Sequence, residues 1–353
     1  MSRVLAELSH PIVAAPMAGG PSTPRLAAAV SQAGGLGFLA TGYLPPERFA
    51  ADLAELRELT TEPFGVNVFI PGGAPVDRTA VDAYAQHLAA DAERRSATLG
   101  EPVGGDDAYA EKIALLQENP VAVVSFAFGL PDADIVRALQ AHGSEVWVTL
   151  TGPEDAHDAA TLGVDAIIAQ GIEAGAHRGG ANDTDEYALL PLLRLLTART
   201  NLPLIAAGGI ADGSALAAAL TAGAAAAQVG TALLLCPEAG TAPVYRAALR
   251  SATPTGLTRA FTGRRARGIK NAFMAEHDAF APAAYPELHQ LTSPLRAAAR
   301  AAGDADGINL WAGQAYPLIR ELPAAEVVRT LAAEALAAIE NAGRRLGDKE
   351  PHR

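Results

Sequence analysis

The sequence predicts an α/β fold, specifically a (β/α)8 TIM barrel with a helical insertion and a C-terminal helical extension. Eight short apolar runs recur along the 353 residues, and each is followed by a stretch long enough to form a helix. This alternation is typical of parallel α/β proteins. The runs are continuously apolar, which indicates strands that are covered on both faces. Eight such units favour a closed barrel, although a doubly wound sheet also fits the pattern.

Each predicted strand ends at glycine or polar residues, which are typical of the loops between elements. The sequence contains no internal repeat beyond the β/α alternation. The predicted strands comprise residues 12–16, 36–39, 65–69, 121–126, 145–150, 166–169, 203–207 and 226–229.

Residues that begin and end helices support the same division of the chain. Thr23 followed by Pro24 predicts an N-cap and a first helical residue, and Gly34 predicts the end of that helix. Asp212 is expected to cap a later helix that ends at Gly223.

The barrel is predicted to comprise residues 1–235 and a C-terminal helix at 322–345. Residues 71–119 are interpreted as a helical insertion within the barrel, and residues 236–321 as a second excursion that forms a smaller subdomain on the substrate side. Apolar residues at helical spacing indicate the helices of the insertion and the C-terminal helix. They are Val81, Tyr84, Leu88, Ile113 and Leu116 in the insertion, and Val327, Leu331, Ala335 and Ile339 at the C-terminus.

Charge and cysteine content exclude several classes of partner. The chain has 27 basic and 39 acidic residues, a net charge of −12, so it should repel nucleic acid and anionic membranes. The basic run 259–270 is too short for a nucleic-acid face and is expected to be a solvated or anion-facing loop. The single cysteine, Cys236, follows three leucines and is expected to be a buried, inert thiol, as suits a reducing cytosol.

No segment predicts export or a membrane span. The N-terminus lacks a basic region followed by an apolar stretch, so no secretory signal is predicted. The nearly apolar run 216–235 is interrupted by glycine and polar residues and is better described as a buried helix, turn and strand. We therefore expect a soluble, cytoplasmic protein.

Chemistry in a parallel barrel is expected where the strands end, because active sites collect at that face. Small residues at 16–20, which include Met17, would let a flat ligand approach the backbone or would simply form a tight turn. Asn67 lies inside the third predicted strand, where an unpaired amide is costly to bury. Either a bound ligand or a neighbouring backbone group would satisfy it.

The segment after the sixth predicted strand carries the strongest catalytic signal. Residues 170–180 combine Gln170, four glycines including Gly175, and His177. Glycine permits close approach, and histidine is the side chain best suited to move a proton near neutral pH. We therefore predict His177 as the catalytic residue. The other seven histidines lack such a setting, and none shows a metal-ligand spacing, so no metal site is predicted.

The seventh and eighth predicted strands end in glycine-bearing turns, Gly208-Gly209 and Gln228-Val229-Gly230-Thr231. In barrels the loops after these two strands commonly bind phosphate through main-chain N–H groups. The pair of turns predicts a phosphate site, whereas Gly35-Leu36-Gly37 lacks the third glycine of a dinucleotide fingerprint and is interpreted as a turn.

At these motifs the sequence resembles the nitronate monooxygenase family, formerly called 2-nitropropane dioxygenases, over nearly the whole chain. The matching stretches are residues 15–20 with 22–24, 65–69, 170–179, 207–210 and 228–231, and the stretches 263–268 and 310–314 are similar to class I members. The resemblance implies noncovalent FMN with His177 as the active-site histidine. It implies that the residues around FMN are Met17, Asn67, Gln170, Gly175, Gly208, Gly209, Gln228, Val229, Gly230 and Thr231.

The chain departs from the family pattern at Ala176, where the family commonly has glycine before the histidine. The resemblance implies oxidation of alkyl nitronates, such as propionate 3-nitronate, with O2 to a carbonyl compound and nitrite via a flavin semiquinone. His177 would remove a carbon-bound proton from a neutral nitroalkane or hold the anionic nitronate. Arg178 or a residue of the basic run would help with a carboxylated substrate. A monomer or homodimer is expected.

Two alternatives remain open on the sequence. Related barrels share the flavin-binding turns and the histidine. One alternative is therefore an NAD(P)H-dependent FMN reductase of quinones or enoyl thioesters. Steady-state NADH oxidation would distinguish it. The other alternative is a non-catalytic flavin or phosphometabolite binder, which would show colour but no turnover.

Overall fold

The computed structural model describes residues 2–72, 76–251 and 253–347. All eight predicted strands are present and pair in parallel. Three further strands lie outside the barrel. In chain order the strands are β1 (Ile12–Ala14), β2 (Gly37–Ala40), β3 (Phe64–Phe69), β4 (Val123–Ala127), β5 (Glu145–Leu150), β6 (Ala166–Gln170), β7 (Ala176–His177), β8 (Leu204–Ala207), β9 (Ala226–Val229), β10 (Thr255–Thr258) and β11 (Ala266–Ile269).

The parallel strands form a barrel rather than an open sheet. Their order is β1-β9-β8-β6-β5-β4-β3-β2, and Leu36 closes the ring by bridging Val13 of β1 just before β2 begins. Leu36 N donates to Ile12 O at 2.9 Å, and Ala14 N donates to Leu36 O at 2.8 Å. This closure confirms the predicted (β/α)8 barrel.

The helices surround the barrel and fill the predicted insertion and excursion. In the part of the chain that the structure describes, short 3₁₀ segments supplement them at Thr231–Leu233, Asp278–Phe280, Ala305–Gly307 and Tyr316–Leu318. The helices are α1 (Arg3–Glu7), α2 (Pro24–Gln32), α3 (Pro46–Leu59), α4 (Arg78–Arg94), α5 (Tyr109–Glu118), α6 (Ala133–Ala141), α7 (Ala156–Leu162), α8 (Leu189–Thr197), α9 (Gly213–Thr221), α10 (Pro243–Ala248), α11 (Ala272–His277), α12 (Glu287–Ala301) and α13 (Ala324–Gly347).

The predicted helix caps form as expected. Thr23 Oγ1 accepts from Leu26 N at 3.0 Å, and Pro24 is the first residue of α2. Asp212 Oδ1 accepts from Ala215 N at 2.8 Å at the start of α9. These side-chain oxygens satisfy N–H groups that the first turn of a helix leaves free.

Two apolar layers hold the barrel together. Its interior contains Val13, Phe38, Trp147 and Ile205, each at most 1% exposed, and the rings of Phe38 and Trp147 lie 6.0 Å apart. Gly65 makes room for this layer, because a Cβ there would lie 2.3 Å from the Phe38 ring. The other layer fills the space between strands and helices and includes most of the buried leucine and valine side chains. Removing so much apolar area from water is the main stabilising contribution.

The C-terminal helix α13 packs against α9, and Gly213 N donates to Glu334 Oε2 at 3.1 Å. Val327, Leu331 and Ala335 are buried as predicted, but Ile339 is 45% exposed, so its assignment to the apolar stripe was wrong. A step of four residues turns about 40° beyond a full helical turn. Three such steps carry Ile339 away from the face that Val327 occupies.

The insertion and the excursion share a second core. Val81, Tyr84 and Leu88 of α4 pack with Phe261 and Phe273 from the excursion. Tyr84 Oη donates to Ala260 O at 2.7 Å. Residues 73–75 of the insertion and residue 252 of the excursion lie outside the described residues.

The basic run is not the solvated or anion-facing loop that was expected. It contains β11 and the turn after β10, and Arg267 within it is only 6% exposed. Arg259 and Arg265 form ion pairs of 2.5 Å with Asp183 and Glu186. The run therefore ties the excursion to the acidic loop that follows β7.

Two smaller expectations can be compared with the structure. Cys236 is fully buried, and burial raises the pKa of its thiol to about 12, as expected of an inert cysteine. Within the described ranges, none of the helices combines the length and apolar character needed to cross a bilayer.

Candidate active site

A cavity of about 370 Å³ lies where the barrel strands end. It brings together ten of the eleven residues that the sequence singled out. They are Met17, Asn67, Gln170, Gly175, His177, Gly208, Gly209, Gln228, Gly230 and Thr231. Val229 does not line the cavity. Successive side chains of a strand point to opposite faces, so Gln228 faces the cavity whereas Val229 packs in the apolar layer.

The buried amide of Asn67 is satisfied within the protein. Its Nδ2 donates to Ser125 O at 3.2 Å and to Ser125 Oγ at 3.0 Å. These bonds reach across to the adjacent strand β4, so a neighbouring strand explains this side chain without a ligand. Asn67 still forms part of the cavity wall.

Gln170 holds the loop that carries His177. Its Nε2 donates to His177 O at 3.0 Å, and its Oε1 accepts from Gly179 N at 2.9 Å. Gly175 in this loop packs closely against Gly313. A Cβ added at position 175 would lie 2.6 Å from Gly313 N. Packing of the loop against the excursion therefore requires glycine at this position.

A short antiparallel pairing fixes His177 from the other side. Ala266 of β11 pairs with His177, and Arg267 pairs with Ala176, in the sheet β10-β11-β7. The excursion thus supplies the edge against which the histidine is held. Sequence reasoning missed this contact because β7 has only two residues.

The imidazole of His177 lies among three aromatic rings, with centroids at 5.8 Å for Phe128, 5.6 Å for Tyr285 and 5.7 Å for Trp311. Its Nε2 lies 2.9 Å from Thr262 Oγ1. Burial and, to a smaller extent, the positive charges of nearby arginines lower the pKa of His177 to about 3. The imidazole is therefore neutral near pH 7.

Three cavity residues adopt left-handed backbone conformations that side chains other than glycine seldom adopt. They are Tyr43 with φ 67°, Phe128 with φ 76° and Ala176 with φ 61°. Each such residue costs on the order of 1–2 kcal/mol, and strain of this kind concentrates at functional sites. The strained residue Ala176 lies directly before His177.

The turns after β8 and β9 offer main-chain groups to the cavity. Gly208 and Gly209 have φ of 111° and 70°, which favour glycine, and Gly230 and Thr231 line the same cavity after the adjacent strand β9. Gln228 is 7% exposed, and its buried Nε2 has no hydrogen-bond partner among the described residues. An unpaired buried amide is costly, so it indicates a group that binds in the cavity.

Buried arginines make the surroundings of the cavity positive despite the negative net charge of the chain. Four of them donate to neutral oxygens and have no carboxylate partner among the described residues. Positive charge around a cavity attracts anions. The four are Arg178, Arg264, Arg267 and Arg296.

The expectation named Arg178 or a residue of the basic run as an aid to a carboxylated substrate, and Arg178 does not line the cavity. Arg178 is 1% exposed and donates to Gly171 O at 2.7 Å and Gln170 O at 3.1 Å. Arg264 of the basic run also donates to main-chain carbonyls, and its guanidinium lies 4.4 Å from the Phe128 ring centroid. Neither lines the cavity, because both are needed to hold the loop after β7.

Sequence reasoning missed several cavity residues, and His289 is one of them. His289 lines the same cavity as His177 and stacks on Tyr43, with ring centroids 3.9 Å apart. Tyr43 and Phe128 come shortly after β2 and β4, so the rule that barrel chemistry follows strands would have found them. Arg296 and Asn309 also line the cavity, but they belong to the excursion, which no strand pattern describes.

A cluster of possible metal ligands lies outside this cavity. Single ligand atoms of Asp91, Glu276 and His277 lie within 4.8 Å of one another. Arg94 Nη2 already lies 2.7 Å from Asp91 Oδ1 and 3.1 Å from Glu276 Oε2. A side-chain cation therefore occupies the position between these carboxylates, and we assign no metal to it.

Comparisons with known proteins agree with the motif resemblance. The sequence model of the family described as nitronate monooxygenase matches residues 2–334. The nitronate monooxygenase of Pseudomonas aeruginosa is 45% identical over 346 residues, which cover 93% of this chain and 96% of that protein. A nitroalkane oxidase structure from Streptomyces ansochromogenes has a TM-score of 0.93 at 48% identity, covering 96% of this chain and 99% of that chain.

A structure of FabK from Thermotoga maritima is more distant, with a TM-score of 0.77 at 28% identity, covering 98% of this chain and 99% of that chain. The resemblance predicted from the motifs is confirmed. The chain belongs to the nitronate monooxygenase family of oxidoreductases.

Proposed function

We propose that the chain is an FMN-dependent monooxygenase that oxidises alkyl nitronates with O2 to a carbonyl compound and nitrite. The observation that carries this proposal is the neutral imidazole of His177 in a cavity surrounded by buried arginines without carboxylate partners. Such a cavity favours an anionic substrate, and a neutral imidazole can accept a proton.

The residues present fit FMN. The glycine turns at Gly208-Gly209 and Gly230-Thr231 offer main-chain amides of the kind that bind phosphate, and the unpartnered Nε2 of Gln228 can donate to a flavin oxygen or nitrogen. Met17 and Asn67 would complete the walls around the ring. When bound there, FMN supplies an acceptor for electrons that leave the nitronate and pass to O2.

His177 would have two successive roles. With a neutral nitroalkane, its unprotonated nitrogen takes the proton from the carbon next to the nitro group. The resulting imidazolium then holds the nitronate anion by charge and hydrogen bonding. The three aromatic rings around it exclude water, which strengthens this attraction.

The excursion 236–321 would form the substrate side of the cavity, while the barrel of residues 1–235 and α13 would hold FMN. Thr262, His289 and Arg296 from the excursion line the cavity and support this division. The proposal includes a cytoplasmic location and a monomer or homodimer, which cell fractionation and size-exclusion chromatography would test.

The decisive experiment is anaerobic addition of propionate 3-nitronate to the FMN-loaded protein, followed by absorbance spectroscopy. We expect one-electron reduction of the flavin, and then nitrite release once O2 is admitted. No spectral change would refute the proposal. Rapid NADH oxidation without nitrite release would favour the reductase instead, and colour without either turnover would favour a flavin binder.

A further inference from the structure

Arg296 of α12 is a buried cation that lines the cavity and has no counter-charge among the described residues. It is 7% exposed. Its Nε donates to Thr292 Oγ1 at 3.1 Å, its Nη2 to His289 O at 2.7 Å and its Nη1 to Asn309 Oδ1 at 3.4 Å. All of these acceptors are neutral. A buried guanidinium without an anion is costly, so an anion that enters the cavity would compensate it.

The neighbours of Arg296 add further donors. His289 Nδ1 lies 3.3 Å from Arg296 Nη2, and because arginine only donates, neutral His289 carries its hydrogen on Nε2. Asn309 Oδ1 accepts from Arg296 Nη1, so the amide hydrogens of Asn309 remain for a ligand. Arg300 lines the same cavity one helical turn after Arg296. We call these four residues, His289, Arg296, Arg300 and Asn309, the arginine corner.

A continuous set of contacts joins the arginine corner to His177. The rings of His177 and Tyr285 lie 5.6 Å apart, and Tyr285 Oη donates to Tyr43 Oη at 3.1 Å. Tyr43 in turn stacks on His289 at 3.9 Å. Three side-chain contacts therefore link His177 to the arginine corner, and both groups line the same cavity.

We propose that Arg296 determines specificity by binding the carboxylate of a short carboxylated nitronate whose nitronate group lies at His177. The inference rests on the proposed function. One Nη1–H of Arg296 is left by its protein contacts and can donate to a carboxylate, while the positive charge of the guanidinium attracts the anion. The glycine turns offer a separate place for the FMN phosphate, so the arginine corner is free for the substrate.

The test compares two nitronates of similar length, propionate 3-nitronate and butyl 1-nitronate, which differ in the carboxylate. We expect the unmodified holoenzyme to prefer propionate 3-nitronate in kcat/KM by at least about tenfold, since hydrogen bonds to charged groups contribute on this order. Arg296→Met should remove this preference through a higher KM for propionate 3-nitronate, so that its kcat/KM falls at least about tenfold further than that for butyl 1-nitronate. Arg296→Lys should retain part of it.

A second measurement needs no variant. The two carboxylates of succinate are about as far apart as the carboxylate and the nitronate group of propionate 3-nitronate. Butyrate has a chain of the same length but only one carboxylate. Succinate should inhibit oxidation of butyl 1-nitronate competitively and at least about tenfold more tightly than butyrate. Equal inhibition by the two would overturn the proposal even if the variants failed to fold.

Other outcomes separate this inference from the proposed function. If the enzyme oxidises both nitronates without preference, or if Arg296→Met keeps the preference, Arg296 has no such role while nitronate oxidation stands. A large loss of FMN affinity in Arg296→Met, measured by flavin fluorescence, would show that Arg296 serves the flavin instead. If neither nitronate is oxidised, the proposed function fails and this inference fails with it.

Discussion

His177 Nε2 and Thr262 Oγ1 are joined by a hydrogen bond of 2.9 Å. The Thr262 hydroxyl also lies 3.2 Å from Arg264 O, and a carbonyl can only accept, so the hydroxyl hydrogen goes to Arg264. The Thr262 oxygen then accepts the hydrogen of His177 Nε2. This arrangement assigns the neutral tautomer of His177 and leaves Nδ1 as the nitrogen that can take a proton.

Thr262 is therefore expected to position the base. Thr262→Val should lower kcat for a neutral nitroalkane about fivefold with little change in KM, because a hydrogen bond of this kind contributes about 1 kcal/mol. Thr262→Ser keeps the hydroxyl and should stay within about twofold of the unmodified enzyme. Steady-state nitrite release measures both, and an unchanged kcat in Thr262→Val would show that the tautomer is set in another way.

Two histidines that line the cavity, His177 and His289, should make stability depend on pH. Burial and nearby arginines lower the pKa of His177 to about 3 and that of His289 to about 2. Below the ordinary histidine pKa of about 6.5, the unfolded chain binds protons that the folded chain does not. The free energy of unfolding should therefore fall as pH decreases from 6.5, by at most about 1.4 kcal/mol per pH unit for each imidazole.

Urea denaturation of the apoprotein between pH 7.5 and 5 would measure this slope. His177→Asn and His289→Asn should each make it shallower, whereas His157→Asn, at an exposed position, serves as the control that leaves it unchanged. If neither His177→Asn nor His289→Asn altered the slope of the free energy of unfolding against pH, both imidazoles would titrate normally in the folded protein.

The barrel could be predicted because each strand is a local apolar run with a loop at its end. The glycine turns and His177 were found for the same reason, since barrel chemistry follows strand ends. The contact of Thr262 with His177 and the position of Arg296 could not be found in this way. They depend on how the excursion packs over the barrel, and long-range packing leaves no periodic signal in the sequence.

Gln228 should affect the apoprotein and the holoprotein in opposite directions. Its buried Nε2 has no partner among the described residues, so Gln228→Met should raise the free energy of unfolding of the apoprotein by about 1 kcal/mol. The same change removes a donor to the flavin and should weaken FMN binding about tenfold. Denaturation and FMN titration by fluorescence measure the two effects.

Gln170 provides a matched control, because its amide is fully bonded to His177 O and Gly179 N. Gln170→Met should lower the stability of the apoprotein, since it leaves two main-chain groups without partners. If Gln228→Met destabilised the apoprotein as much as Gln170→Met does, the Gln228 amide would have a partner in the protein rather than in the cavity.

Ala176 should be a site where glycine stabilises the protein. Its φ of 61° lies in the left-handed region, which costs alanine on the order of 1 kcal/mol and glycine almost nothing. Ala176→Gly should therefore raise the free energy of unfolding by about 1 kcal/mol while the pairing of β7 with β11 keeps His177 in place. Ala218 lies at an exposed position inside α9, so Ala218→Gly should lower stability by roughly 0.5–1 kcal/mol through added freedom of the unfolded chain. Denaturant melts of the two variants should shift in opposite directions, and a shift of both toward lower stability would show that the methyl group of Ala176 contributes packing that outweighs its backbone strain.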